Sequence, residues 1–291
     1  MLSTLVLLIQ VVGSALGLSA PAAAEKSYEL AVLGGFGLTQ VDGTSVHQDS
    51  WNYYRISDVW ERTAIQAQSN NAPVLGGELR RFFGPRLGIG VVFGSWKSDI
   101  DTKGDFEFRY SWADGGGDSK STSWTGGGSL QTQFLGVNGI ACFGLGPFQG
   151  YAAAGPALVF HRLTLKSHFG GGVANYGETV DQHIDALKIP LEIDGETWSA
   201  VGFNLRLGIN AMLGPRLGLT LECRYVICPA KTLQWNVIPG RYDGIFYENE
   251  IKDFVLTAEG ARYVLDHQKL SAITVNPSSL QVLIGLRVRL F

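Results

Sequence analysis

Apolar and polar residues alternate with a period of two through several stretches of this chain. The cleanest case sets Val201, Phe203, Leu205, Leu207, Ile209, Ala211 and Leu213 against Gly202, Asn204, Arg206, Gly208 and Asn210. Next comes a stretch with Leu217, Leu219, Leu221, Cys223, Tyr225 and Ile227 on one face and Gly218, Thr220, Glu222 and Arg224 on the other. An earlier one opposes Leu87, Ile89, Val91 and Phe93 to Gly88, Gly90 and Gly94. Side chains of an extended strand point to opposite faces in turn, so each stretch predicts a strand with one greasy and one polar face.

Short Gly/Pro turns punctuate these strands. Gly84-Pro85-Arg86 and Gly214-Pro215-Arg216 each lie between two alternating segments, and Gly144-Leu145-Gly146-Pro147 forms a third such break. Three tight turns join six strands, and alternating segments at the two ends add a first and a last. The eight predicted strands are Tyr28 to Gln40, Val74 to Phe83, Leu87 to Trp96, Ser129 to Phe143, Gln149 to Arg162, Trp198 to Leu213, Arg216 to Ile227 and Leu280 to Phe291. The remaining connections run to about 33, 32, 35 and 52 residues, well beyond the ~15 usual in a compact soluble domain. Short turns and long loops therefore alternate strictly. This predicts an all-β fold, an antiparallel up-and-down transmembrane barrel of eight strands, with short periplasmic turns and long extracellular loops. A short helix is expected after Ser57. An extra hairpin around Phe254 to Val264 would raise the count to ten.

Alternation alone does not say which face is inside. A soluble lipocalin-like barrel would turn the apolar face inward and is the rival fold. Gly crowding on the polar face, charges in mid-strand and aromatics near the turns (Phe82, Phe83, Phe143, Phe148, Tyr151) favour the membrane orientation. In that orientation Glu29, Glu78, Arg80, Arg206, Glu222, Arg224, Arg287 and Arg289 project into the lumen. Isolated charges there would be costly, so the eight are expected to form a structural ion-pair network that plugs the barrel.

Composition sharpens this picture. Charged residues make up 17% of the chain and glycine supplies 38 of 291 positions, which disfavours helix. Beyond residue 24 no run is apolar and long enough to span a bilayer as a helix. Residues 1–24 combine an apolar stretch, Leu2 to Leu18, with Ala22 and Ala24 before Glu25. That is the small-x-small pattern of a cleaved signal peptide, so residues 25–291 are expected to form the mature barrel domain. The net charge of −3, without a Lys/Arg-rich stripe, gives no reason to expect nucleic acid. Cys142, Cys223 and Cys228 have neither disulfide nor metal-ligand spacing, so no metal and no cofactor are expected.

Candidate chemistry is sparse. Of the five histidines only His161 falls near a predicted strand end, and no nucleophile accompanies it, so no enzymatic activity is expected. Trp51, Tyr53, Tyr54 and Trp60 in the first loop, with Trp112 and Trp124 in the second, are candidate contact residues for an extracellular ligand. The triple glycines at 115–117, 126–128 and 170–172 lack a following Lys-Ser/Thr and are expected to be flexible loop segments rather than phosphate cradles.

The eight alternating segments, the loop asymmetry and the ending Gly285-Leu286-Arg287-Val288-Arg289-Leu290-Phe291 together resemble the small outer-membrane barrels of the OmpA-type, OmpX-type and opacity-protein superfamily. The resemblance covers Tyr28 to Phe291 and rests on architecture. It implies residence in the bacterial outer membrane, contact with outer-membrane lipid and lipopolysaccharide, and recognition of Phe291 by the barrel-assembly machinery. Phe291 falls out of step with the apolar Leu286, Val288 and Leu290. The function expected is that of a non-enzymatic barrel with a charge-plugged lumen and surface loops, serving surface interaction or envelope integrity. A narrow porin-like channel and a lipid-modifying enzyme stand as alternatives.

Overall fold

The computed structural model describes residues 27–39, 41–53, 56–112, 115–144, 148–173, 185–247, 250–256 and 272–290. The expected signal peptide, Tyr54, Phe291 and the part of the expected last hairpin beyond residue 256 lie outside the described residues.

The elements in chain order are β1 (Ser27–Thr39), β2 (Asp42–Tyr53), β3 (Ile56–Ser69), β4 (Ala72–Phe82), β5 (Leu87–Trp112), β6 (Gly117–Phe143), β7 (Phe148–Val173) and β8 (Asp185–Met212). They continue with β9 (Leu217–Ile227), β10 (Lys231–Leu233), β11 (Asn236–Val237), β12 (Gly240–Tyr247), β13 (Glu250–Leu256), β14 (Ile273–Val275) and β15 (Ser279–Arg289). Eight strands close a ring in the order β1, β4, β5, β6, β7, β8, β9, β15, and β15 pairs back onto β1. Every pairing is antiparallel. Closure leaves the ring no free edge, and backbone polar groups inside a bilayer must all be satisfied within the protein. Tight turns after β4 and β8 are clamped by Phe83 N–H donating to the Leu87 carbonyl at 3.0 Å and Leu213 N–H to Leu217 at 2.9 Å.

Within the ring the greasy face points outward. On β9 the outward Leu217, Leu219, Leu221, Tyr225 and Ile227 are exposed, whereas Gly218, Thr220, Glu222, Arg224 and Val226 are buried. The other ring strands continue the belt, with Val32, Phe36, Leu75, Ile89, Phe93, Val137, Val201, Leu207 and Ile284 all exposed. At ~3.3 Å per residue and a tilt of ~40°, β9 rises roughly 25 Å, the height of a transmembrane barrel's apolar band. The soluble-barrel orientation is thereby excluded for this part of the molecule. The ring has eight strands rather than ten.

Four strands do not stop at the end of this belt. β5 to β8 run for 26, 27, 26 and 28 residues. At ~3.3 Å per residue the surplus over β9 amounts to about 50 Å of strand. The β2–β3 hairpin joins this tier through β5, with Asp58 to Ser69 paired to Ser111 to Ile100, and β11 joins through β8. The first long connection is therefore a hairpin, and the helix expected after Ser57 is replaced by β3. Gly126–Gly128 and Gly170–Gly172 lie inside β6 and β7 rather than in flexible loops. Gly115 and Gly116, with φ of 93° and 97°, form the tip between β5 and β6. A two-stranded hairpin, β12–β13, spans Gly240 to Leu256.

Polarity inverts where the ring becomes the tier. Along β5 the outward residues change from Leu87, Ile89, Val91 and Phe93 to Lys97, Asp99, Asp101, Lys103 and Asp105, all exposed. The inward residues change from Gly88 and Gly90 to Trp96, Ile100, Phe106 and Phe108, all buried. A charged outer face and an apolar inner face are the pattern that the ordinary hydrophobic effect, directed inward, produces. Val41, Ile65, Ile100, Leu130, Leu163, Leu165, Phe169, Ile189, Leu191, Trp235, Ile273 and Val275 form its core.

Strand β8 needs one local device to serve both halves. Below it, Asn204 and Arg206 face inward at even positions; above it, Ile189, Leu191 and Ile193 face inward at odd positions. A bulge makes the switch: Leu163 pairs with Glu196 while Leu165 pairs with Ile193. Gly195 sits in this bulge at φ +60°, a conformation that costs a residue with a Cβ about 1–2 kcal/mol.

Candidate functional site: the lumen

The lumen is built in layers, and its most distinctive layer is ionic. Glu78 and Arg80 project from β4, Arg206 from β8, and Glu222 and Arg224 from β9, each with a fully buried side chain. Arg80 Nε donates to Glu78 Oε2 at 2.6 Å. Arg206 grips the same carboxylate with both terminal nitrogens, Nη1 at 2.9 Å from Oε2 and Nη2 on Oε1. Its Nη1 also lies 3.3 Å from Glu222 Oε2, so one guanidinium bridges strands β4 and β9 across the axis. Arg224 Nε donates to Glu222 Oε1 at 2.9 Å, and the Tyr151 hydroxyl from β7 donates to Oε2 of the same carboxylate. Two rings cap the cluster: the guanidinium of Arg80 lies 4.3 Å from the Tyr151 ring centre and that of Arg224 lies 5.2 Å from Phe134. Charged groups taken out of water need such a dense set of partners.

Near the turn end a second group forms around Glu29 of β1. Arg287 Nη1 is 3.0 Å from its Oε2, and Arg289 Nη2 is 3.4 Å from Oε1. Arg289, with a side chain 44% exposed, sits at the mouth rather than deep inside. The eight charged residues thus divide into a deep cluster of five and a rim cluster of three. Phe82 and Tyr151 face the interior with Ile140, Cys142 and Ala153, while Phe83 and Phe148 stay on the outer rim.

Glycine makes room for the large lumen groups. A Cβ on Gly208 would lie 2.5 Å from the Tyr151 ring, and one on Gly94 would lie 2.3 Å from the Phe134 ring.

Above the ionic layer the axis is filled by apolar side chains. Leu33, Val74, Val92, Trp96, Phe134, Val159, Val226 and Leu283 pack there. A polar seam follows, in which Thr39 accepts hydrogen bonds from Trp96 Nε1 at 3.1 Å and Ser98 Oγ at 3.0 Å. His161 lies within β7 rather than at its end, stacked on Trp198 with ring centres 4.8 Å apart and with Nδ1 3.1 Å from Thr132 Oγ1. The apolar core of the tier lies beyond this seam.

Two histidines expected in loops are in strands. His47 of β2 is buried, with Nε2 3.3 Å from Glu61 Oε1, and His168 belongs to β7. Among the candidate contact aromatics, Trp124 is not at the surface: it is buried with Val59, Phe106 and Phe108 in the upper tier. Trp60 is half-buried with the Arg109 guanidinium 5.1 Å from its ring centre. Trp51 and Tyr53 belong to β2 and Trp112 ends β5. Phe106 and Phe108 were expected in a long loop; the signal that places them in a strand is their alternation with Asp105, Glu107 and Arg109.

Fold and wall chemistry define the class: an eight-stranded transmembrane β-barrel with an apolar exterior and an ion-paired interior. Compared with protein-family models and with curated protein sequences, the chain matches none. Among solved structures it is similar in fold to the outer membrane protein OprG from Pseudomonas aeruginosa, at 11% identity and TM-score 0.45 over 92% of this chain and 98% of that one. It is likewise similar to Neisserial surface protein A, at 10% identity and TM-score 0.36 over 92% and 99%. A third such structure is the outer membrane protease OmpT from Escherichia coli, at 10% identity and TM-score 0.37 over 94% and 99%.

Proposed function

We propose that this chain is a non-enzymatic barrel of the bacterial outer membrane with a sealed lumen, whose tall tier carries surfaces for contact outside the cell. One observation carries the reading: the axis is filled in succession by the ion-pair cluster, an apolar layer and the apolar tier core. A water-filled path would have to break a guanidinium bridge and pass two layers of packed hydrocarbon, so the charges act as a stiffening plug. The tier faces the exterior because strands with long connections end there and tight turns close the other end. Lipid and lipopolysaccharide contact the apolar belt, residues 1–24 direct export, and Phe291 engages the assembly machinery.

Single-channel recording of refolded protein in planar bilayers tests the sealed lumen. Silence is expected, and steady discrete conductance would overturn the reading in favour of a narrow channel. Labelling a cysteine introduced at Gly116 on intact cells tests the orientation: a membrane-impermeant maleimide should react there.

A further inference from the structure

The deep lumen cluster is not neutral. Three guanidiniums, Arg80, Arg206 and Arg224, face two carboxylates, Glu78 and Glu222. The remaining lumen carboxylate, Glu29, is taken by Arg287 and Arg289 at the rim. Among the described residues, one positive charge in the deep cluster has no counter-charge. All three arginine side chains in it have no exposed surface.

The usual remedy for an unmatched buried charge is a proton shift, and it fails here. An unpaired buried lysine or carboxylate neutralises itself, whereas a guanidinium keeps its proton under any ordinary condition. Removing a charge from a glutamate would deepen the imbalance. The Tyr151 hydroxyl proton is engaged by Glu222, and a counter-ion is the route that remains.

Unused donors mark where it would sit. Both terminal nitrogens of Arg80, both of Arg224 and Nε of Arg206 are buried with no hydrogen-bond acceptor. Glu222 draws them together: Arg80 Nη2 lies 3.8 Å and Arg224 Nη2 2.8 Å from its two oxygens, without hydrogen-bond alignment. The Tyr151 and Phe134 rings lie against the Arg80 and Arg224 guanidiniums, which leaves the N–H edges as the groups an acceptor can reach. Unsatisfied amide nitrogens of Asn138 and Asn204 add neutral donors in the same lumen. An apolar layer packs above the cluster.

We propose that the lumen holds one resident monovalent inorganic anion of the halide class, bound by the free N–H groups of Arg80, Arg206 and Arg224. It enters during folding and becomes part of the plug. This rests on the lumen being closed and fails separately from it: a silent barrel without a halide loses the anion alone.

The direct test is a crystal of the refolded protein grown in sodium bromide. An anomalous peak touching the Arg80 and Arg224 guanidiniums is expected; bromide on the outer surface only, or none, overturns the proposal. Thermal unfolding in sodium chloride against sodium gluconate at equal ionic strength supplies a second readout. The midpoint should rise saturably with chloride, and Arg224→Gln, which removes the excess charge, should abolish that dependence. Identical wild-type midpoints in the two salts would overturn it. Should Arg224→Gln fail to fold, the wild-type bromide map still decides.

Discussion

Replacing Glu78 by Gln is the most informative perturbation of the plug. The carboxylate is fully buried, accepts from Arg80 Nε at 2.6 Å and is held by both terminal nitrogens of Arg206. Glutamine keeps the shape and removes the charge, leaving Arg80, Arg206 and Arg224 to share Glu222. Breaking one side of a buried ion pair costs about 3–5 kcal/mol, because the partner charge stays buried. Unfolding in urea, followed by tryptophan fluorescence in lipid or detergent micelles, converts this into a midpoint. With a slope of about 2–3 kcal/mol/M, the midpoint should fall by roughly 1–2.5 M. The double variant Glu78→Leu/Arg206→Met removes both charges of the closest pair and should recover much of the loss, since apolar replacements of a whole buried pair are often neutral or stabilising. A Glu78→Gln midpoint within the equivalent of ~0.5 kcal/mol of wild type would refute the idea that this network bears on stability.

Three further outcomes follow from the wall and the bulge. Leu221→Arg, on the exposed lipid face, should cost about 2–4 kcal/mol in the same assay, whereas Asp105→Lys on the charged outer face of the tier should stay within ~0.5 kcal/mol. Gly94→Ala should destabilise by about 1–3 kcal/mol through collision with the Phe134 ring, and Phe134→Leu should relieve part of it. Gly195→Ala should cost about 1–2 kcal/mol through its φ of +60°, and hydrogen exchange should quicken first at the amides of Ile189, Leu191 and Ile193.

Much of the ring was legible because a bilayer makes the signal uniform: lipid on one side and a narrow Gly-rich lumen on the other enforce period two for about ten residues. Each of the eight strands ended in the sequence where that uniform environment ends. Trp96 looked like a boundary because the outward positions then turn charged, although the strand runs on to Trp112. Trp198 is the expected start of its strand, although the strand begins at Asp185 and passes through a bulge at Asp194-Gly195 that preserves an inward face. The inward-facing apolar core expected of the soluble rival is found too, but in the tier above the membrane ring and without a second closed barrel among the described residues. The arginines and glutamates of the lumen could be read from parity. Their partners could not, because the choice of Glu78 by Arg206 depends on strand stagger and on Gly208 and Gly94 leaving space. That lumen arginines outnumber glutamates could be counted in the sequence, but which three face which two in the deep cluster is revealed only by three-dimensional pairing.

The reversal of greasy and charged faces along β5 also works as a depth gauge. Two residues of sinking would drag Lys97 and Asp99 toward hydrocarbon, and the same distance of rising would bare Phe93 and its neighbours to water. Both displacements are uphill, so the protein floats at one level. Because the β5–β6 ladder pairs without interruption from Leu87 to Ser111, one continuous ladder joins the membrane ring to the upper end of the tier.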